Sequence, residues 1–428
     1  MAVTESGIAA EVRQWFHQTW DPDLSLVEWR NLLVDSGWAV PSWSTQWFGR
    51  DLPAWADRVA HQTIRAEGGV AVPLGGGMGL AAPTIYDHGS DDVKAAFLRP
   101  TLTGELLWCQ LFSEPAAGSD LAGLKTTAVR DGDHWIINGQ KVWNTSAHHA
   151  DMGILVARSN WDAVKHAGLS YFLIDMHQDA IEVRSIKQMN YHASFNEVFL
   201  TDAVVPHTNL VGEVGEGWKV ARGTLAHERR FGGRSTQHFS RTATGRVIEE
   251  AKHEADEHNQ TYIWYPQRQG RIDLLPEQAA KHQVADDPLV RQQVAGAVAM
   301  HRSAGYTAER AKAARALGRP PGSEGSIGKL ALSQIAQACH RAHTSISGAQ
   351  GMLRSAAGDD THTTIAEVLV STPAQSIAGG TDEIQRNILG ENMLGLPKEP
   401  AVDRGVPFRD VGRAGNTPTD GPHERPRN

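Results

Sequence analysis

The residues with the clearest chemical potential lie between Leu111 and Ala147, LFSEPAAGSDLAGLKTTAVRDGDHWIINGQKVWNTSA. The loop Glu114-Pro115-Ala116-Ala117-Gly118-Ser119-Asp120 sets small residues and exposed backbone N–H groups where a ligand can approach closely. A strand pattern begins at Thr126, turns at Asp131-Gly132-Asp133 and alternates through Trp135 and Ile137. Asn138-Gly139 is a second hairpin signal, and it predicts that the chain folds back there through Lys141 to Thr145. That return carries Trp143, an aromatic plane, beside the polar Asn144 and Thr145.

Other groupings carry less chemistry. Gly75-Gly76-Gly77 lacks the strand-then-helix frame and lysine of a phosphate loop, so it reads as a kink or close packing within a helical region. GSEGSIGKL, Gly322 to Leu330, has the wrong spacing between its glycines and ends in leucine. His253, Glu257 and His258 do not converge on a helix, because the two histidines are five apart, so a solvated face is expected rather than a metal site. His148-His149 follows the Trp143 segment, but with twenty histidines in the chain such a placement arises easily by chance. Cys109 and Cys339 are the only cysteines and lie far apart, which argues against a disulfide scaffold or a cysteine zinc site. No metal is expected.

The elements that must position these residues fall into three blocks. Residues 1–105 read as helical: Ile8, Val12 and Phe16 recur at helical spacing, Leu26 to Gly37 and Ala54 to Glu67 are amphipathic, and Asp91 to Leu98 predicts a capped helix ending at Pro100. In 106–212 the period changes to two, with short strands at Ile154–Ala157, Tyr171–Ile174, Ile181–Ile186 and Asn196–Leu200. The block 213–398 returns to helices. One is expected over Asp287 to Arg315, with Val290, Val294, Ala297, Val298 and Ala304 on one side. A second, Ser326 to His340, carries Ile327, Leu330, Ile335 and Ala338, and such helices suit a bundle. Tyr262 to Leu275 reads as an exposed insertion, and 399–428, poor in aliphatics, as a disordered tail. The fold class expected is α+β and multidomain.

At 428 residues and 40% hydrophobic composition, the chain can bury a sizeable core. A net charge of −8 recommends neither nucleic acid nor an anionic membrane as partner. No apolar run approaches the roughly 18 residues of a membrane span. The N-terminus lacks the layout of a signal peptide, so a cytoplasmic location is expected.

SEPAAGSDLAG followed by INGQKVWNTSA closely resembles the flavin-binding β-domain of the acyl-CoA dehydrogenases, whose form is T/S-E-P-x-A-G-S-D and then N-G-x-K-x-W-I-T-N. A second stretch, GGTDEIQRNILGENMLGLP from Gly379, resembles the family's C-terminal anchor, and the likeness runs from about residue 5 to 398. It implies an N-terminal helical domain, a β-barrel-like middle domain and a C-terminal helical bundle, with FAD as cofactor. By resemblance, Gln110, Leu111, Phe112 and Ser113 run along the flavin ring, and Ser119 reaches the flavin or the CoA portion of the substrate. Trp143, Asn144 and Thr145 cover the ring's other side, while Thr381 and Glu383 touch the dinucleotide portion.

Desaturating an acyl thioester needs a base for the α proton, an acceptor for the β hydride and donors for the thioester oxygen. Many family members carry the base as a Glu in Y-E-G-T, where this chain has Gly379, which can offer only its backbone N–H. A minority branch carries the base on an earlier helix, immediately before an Arg. TLAHERR places Glu228 and Arg229 there, which makes Glu228 the expected base and Arg229 a substrate contact.

The resemblance further implies an electron-transfer flavoprotein as acceptor and a homodimer or homotetramer. Two departures qualify it. The R-x-x-F-G motif that neutralises the FAD pyrophosphate is missing, leaving Arg268, Arg271 and Lys281 as available cations. The Q-x-x-G-G-x-G segment appears as Ser345 to Gly351 with its Gln and second Gly replaced. Both pieces usually reach FAD across a subunit interface, so a non-catalytic or FAD-sharing subunit of a hetero-oligomer is one alternative. A flavin oxidase is the other. The acyl chain is left open.

Overall fold

The computed structural model describes residues 3–231, 243–317, 322–353, 360–398 and 405–411, with the single residues 239, 319, 400 and 403. The chain divides into two compact units. One comprises Met1–Arg184, Glu197–His227 and Glu399–Asn428; the other comprises Ser185–Asn196 and Glu228–Lys398.

The first unit opens with α1 (Glu5–Thr19), α2 (Leu26–Asp35), α3 (Trp55–Ala66), α4 (Ala82–His88) and α5 (Asp91–Thr103). The predicted stripe of Ile8, Val12 and Phe16 is buried on α1. A capping box of Ser25 and Glu28 starts α2, satisfying backbone donors that a helix start leaves open. The glycine run at 75–77 leads into a single π turn, Gly77–Ala81, near Trp108.

One helix boundary differs from expectation, because α5 continues through Pro100 to Thr103. Proline removes one donor, but the turn is held by hydroxyls that bond back along the helix. Thr101 Oγ1 donates to the Phe97 carbonyl at 2.6 Å and Thr103 Oγ1 to that of Arg99 at 3.1 Å.

A seven-stranded sheet follows: β1 (Trp108–Leu111), β2 (Thr127–Asp131), β3 (His134–Val142), β4 (Met152–Arg158), β5 (Leu169–Asp175), β6 (Ile181–Ile186) and β7 (Phe195–Pro206). The order is β1-β4-β2-β3-β7-β6, with β5 paired to β4 off this path. Strand β1 runs parallel to β4, whereas β2–β3, β3–β7 and β4–β5 are antiparallel. Inward side chains including Leu111, Trp135, Ile137, Leu155, Phe172 and Val198 form its core.

The Asp131-Gly132-Asp133 turn is present as expected, pairing Asp131 with His134. The hairpin at Asn138-Gly139 is not: β3 runs straight through both residues. Instead the register against β7 slips between Ile137 and Gly139, a bulge rather than a reversal. The glycine serves close approach, since a Cβ at Gly139 would lie 2.3 Å from Thr126 Oγ1.

After the sheet comes α6 (Gly217–Phe231), then α7 (Arg246–Tyr262), α8 (Tyr265–Arg268), α9 (Leu275–Lys281), α10 (Pro288–Ala316), α11 (Glu324–Ser347), α12 (Asp360–Ser371) and α13 (Asp382–Asn392). In the second unit a core of Leu275, Val290, Ala297, Ile335, Cys339 and Ile346 joins α9, α10 and α11. Ile327 departs from its expected stripe and is 37% exposed, whereas Ser333 and His343 of α11 are buried.

Two further expectations are corrected. Tyr262 to Leu275 is not an exposed insertion: Trp264 and Leu275 are buried, and Trp264 Nε1 donates to Ser194 Oγ at 3.1 Å. The aromatic density of this stretch outweighs its polar average. Within the expected disordered tail, Phe408 is buried and Phe408 N donates to the Ala163 carbonyl at 2.9 Å. A single aromatic anchor orders a segment that is otherwise poor in apolar residues. Residues 412–428 lie outside the described residues. No helix among the described residues is long and apolar enough to cross a membrane.

Candidate active site

In the first unit, the 114–120 loop is built on a buried ion pair. Lys141, with no exposed side-chain surface, reaches Glu114 Oε1 at 2.9 Å. The same ammonium donates to the carbonyls of Phe112 at 3.0 Å and Val156 at 2.9 Å. The Glu114 carboxylate also accepts from the backbone N–H groups of Lys125 at 2.7 Å and Thr126 at 2.8 Å. Burial pushes the Glu114 carboxyl upward, but Lys141 and these hydrogen bonds outweigh it and leave the group below its usual range. Burial pushes the Lys141 ammonium down to about 8 against the pull of Glu114, so both partners are charged at neutral pH. Sequence reasoning missed this pair. Its only signal was a carboxylate and a lysine inside stretches that otherwise read as a loop and a strand.

The pair leaves a defined outer surface. Mutual backbone bonds between Glu114 and Ala117 at 3.1 and 3.0 Å close the loop, with Pro115, Ala116, Gly118, Ser119 and Asp120 exposed. Beside it, β1 is tied to the end of β3. Asn144 Nδ2 donates to the Gln110 carbonyl at 2.7 Å, and Val142 N donates to that of Ser113 at 2.9 Å. The side chains of Leu111 and Phe112 are buried, so these two positions can meet a ligand only through the main chain. Asn144 is itself buried and acts as a tie.

Trp143 is different. It adopts a left-handed backbone, φ 64°, and leaves 58% of its surface exposed. For a bulky residue that conformation costs roughly 1–2 kcal/mol. Gln110–Ser113 and Trp143–Asn144 are thus brought together, and Thr145, half-buried, follows directly.

The second set of residues starts on α6. Thr224, one turn before Glu228 and on the same helix face, is buried and bonds to Thr84 Oγ1 at 3.0 Å and to the Tyr171 hydroxyl at 3.1 Å. These contacts fix the helix just ahead of Glu228. Glu228 is half-buried and lies near Tyr262 and Tyr265 in the second unit. Burial pushes both tyrosine hydroxyls up, and the Glu228 carboxylate adds to the rise in each. The Arg268 guanidinium lies over the Tyr265 ring at 4.1 Å. This aromatic wall went unread in the sequence because its stretch looked like an exposed insertion. Arg229 continues α6, but its side chain lies outside the described residues.

Gly379 has φ 68° and Gly380 φ 86°, both left-handed, ahead of α13. A glutamate at 379 would find room but carry strain there, because only glycine enters this region freely. Thr381 caps α13, accepting from Ile384 N at 3.3 Å. Asp382 is buried against Lys329 at 3.2 Å and Ser333 Oγ at 2.8 Å. Glu383 points outward and pairs with Arg386 at 3.2 Å. Of the cations considered for a pyrophosphate, Arg271 is engaged by Asp273 at 2.8 Å, Arg268 by Tyr265, and Lys281 is exposed at the end of α9.

Comparison with known proteins accounts for most of the chain. Residues 2–105, 109–203 and 274–394 match the N-terminal, middle and C-terminal domains of acyl-CoA dehydrogenase. The chain is 32% identical over 419 residues to acyl-CoA dehydrogenase IpdE1 of Mycolicibacterium smegmatis, covering 91% of this chain and 97% of that one. It is 34% identical over 366 residues to acyl-CoA dehydrogenase FadE34 of Mycobacterium tuberculosis, covering 86% of this chain. That match spans only 46%, about half, of the relative's length. Among solved structures, the ChsE4-ChsE5 complex from Mycobacterium tuberculosis superposes with a TM-score of 0.60 at 23% identity, over 93% of this chain and all (100%) of that one. Three matched domains in order, and a relative aligned over nearly its whole length, place this chain in the acyl-CoA dehydrogenase family of flavoprotein oxidoreductases.

Proposed function

We propose that the chain binds FAD and desaturates an acyl-CoA thioester between its α and β carbons, with Glu228 as the base. The observation that carries this reading is the setting of Glu228. It is a half-buried carboxylate near two half-buried tyrosines, in a chain whose alternative base position, Gly379, has no side chain. Glu228 takes the α proton. The Gly379 N–H donates to the thioester oxygen as charge develops there, a role that needs no side chain.

The residues present fit a flavin. An exposed indole held in a strained backbone, beside a strand and a loop of small exposed residues, suits a planar ring with polar edges. Trp143 and Thr145 cover the ring, Gln110 to Ser113 line it through the main chain, and Ser119 reaches the flavin or the CoA portion. Thr381 and Glu383 contact the dinucleotide, and Arg229 the substrate. When bound, FAD supplies the hydride acceptor, and an electron-transfer flavoprotein then takes the electrons.

The test is anaerobic titration of the purified, flavin-loaded protein with straight, branched and ring-bearing acyl-CoAs. One class bleaches the visible flavin band. Glu228→Gln lowers turnover by about 10²- to 10⁴-fold with flavin still bound. Turnover near the parent's would remove Glu228 from the role.

A second reading is that the chain works as one subunit of a hetero-oligomer, either sharing FAD or without catalysis of its own. It is favoured by the missing R-x-x-F-G arginine, by the likeness to a protein solved as a two-component complex and by a relative about twice as long. Co-purification with a dissimilar homologue, and flavin bound only in its presence, would support it. A homo-oligomer carrying full flavin would refute it.

A further inference from the structure

The last described segment lies beyond the matched C-terminal domain, which ends at residue 394. We infer that Asp403 and residues 405–411 form a strap that fixes the ligand-facing loop Glu114–Asp120, with Asp403 and Phe408 as positioning residues for substrate affinity. This rests on the proposed role of that loop in holding the cofactor or CoA.

Two connections reach the loop. The first is electrostatic: Lys165 Nζ lies 2.8 Å from Asp403 Oδ2 and 2.8 Å from Asp120 Oδ2, so one ammonium bridges the strap to the loop's last residue. Lys165 is 17% exposed and Asp403 21%, so the strap half of the bridge is shielded better than most surface pairs, while Asp120, at 64%, stays open to water. The second runs through Arg158, a fully buried side chain at the end of β4. Its guanidinium donates to the carbonyls of Ala122 at 2.7 Å and Leu124 at 3.2 Å, directly after the loop, and to that of Lys165 at 3.1 Å.

Phe408 closes over this group, with its ring centre 3.3 Å from the guanidinium carbon. Burial lowers Arg158 only to about 10, so it stays charged at neutral pH. The strap is held by Phe408 N to the Ala163 carbonyl at 2.9 Å, Arg409 N to that of Trp161 at 3.0 Å and an Arg409–Asp162 ion pair. Removing Phe408 opens the Arg158 site to water, which weakens its grip on Ala122 and Leu124. Removing the Asp403 charge leaves Lys165 with one carboxylate and frees Asp120 to move.

Hydrogen exchange and steady-state kinetics on the full chain test this with Asp403→Asn and Phe408→Ala. Amides of 114–124 should exchange about threefold to tenfold faster while those of β2 and β3 keep their rates. KM for the preferred acyl-CoA should rise by a similar factor with kcat unchanged, and Asp403→Glu should recover part of both. Unchanged exchange at 114–124 in both variants overturns the proposal, as does a rise spread equally over β2 and β3, which would mean general destabilisation. If exchange responds locally but the parent protein turns over no acyl-CoA, the strap stands and the acyl-CoA reading falls.

Discussion

The two units carry similar motif letters and use them differently. In the sheet, Glu114 and Lys141 are buried wiring, and the outer surface is left to main chain, small loop residues and one exposed indole. Around α13, Thr381 and Asp382 serve the start of the helix and only Glu383 faces outward. The sheet surface thus depends on an ion pair with four further hydrogen-bonded partners, whereas the helix surface depends on a cap and a pair that is partly wet. A surface assembled from distant strands needs a buried tie. One presented by a helix start is specified locally by a few consecutive residues.

Lys141→Met tests this contrast most severely. It strands the Glu114 carboxylate in a buried site and empties two carbonyl contacts, so a loss of about 3–5 kcal/mol is expected in denaturant unfolding. A loss under 1 kcal/mol would mean that water already serves the pair.

The pH response sharpens it. In the parent, Glu114 sits below its ordinary 4.5, so the unfolded chain takes up its proton first. The stability it contributes is present above 4.5 and lost as pH falls through the lowered folded value. Without Lys141 the largest influence holding this carboxyl down is lost, and burial moves its folded value upward against the remaining Thr126 and Lys125 hydrogen bonds. The variant should lose less stability than the parent as pH falls from neutral. Parallel pH curves for the two proteins would contradict the assignment.

Asp382→Asn in the second unit should cost less, about 1–3 kcal/mol. The amide still meets Ser333, and Lys329, 12% exposed, can turn to solvent. Equal losses from Lys141→Met and Asp382→Asn would erase the proposed difference between the two surfaces.

How far the sequence could be read follows the same division. The helices and strands were legible because α1 and β6 carry periodic patterns and β4 and β5 are continuous apolar runs, and the family resemblance named the site segments. Asn138-Gly139 misled because the same dipeptide suits a turn and a bulge. Only the approach of Thr126, set by the β2–β3 register, decides between them. Pro100 misled because the hydroxyls of Thr101 and Thr103 hold the turn that proline alone would end. Trp264 and Phe408 were hidden in stretches whose average is polar, since composition averages over a stretch while burial is decided by its aromatic rings. Nothing in the linear pattern joins Lys165 to residues 45 positions before it and 238 after it.

The smallest effects separate holding the helix from holding a ligand. Thr381→Ala removes the cap on α13 and should cost about 1 kcal/mol, while Thr381→Ser keeps the hydroxyl and should cost little. Glu383→Gln touches an exposed side chain paired only at the surface, so its effect on stability should stay within about 0.5 kcal/mol. Flavin affinity measured on the same three variants then reads the ligand role directly. If Thr381→Ala and Glu383→Gln weaken flavin binding while Thr381→Ser does not, the helix start holds the dinucleotide through those side chains. If only Thr381→Ala weakens it, and in proportion to its lost stability, the threonine acts by keeping α13 wound, and the contact belongs to the backbone ahead of it.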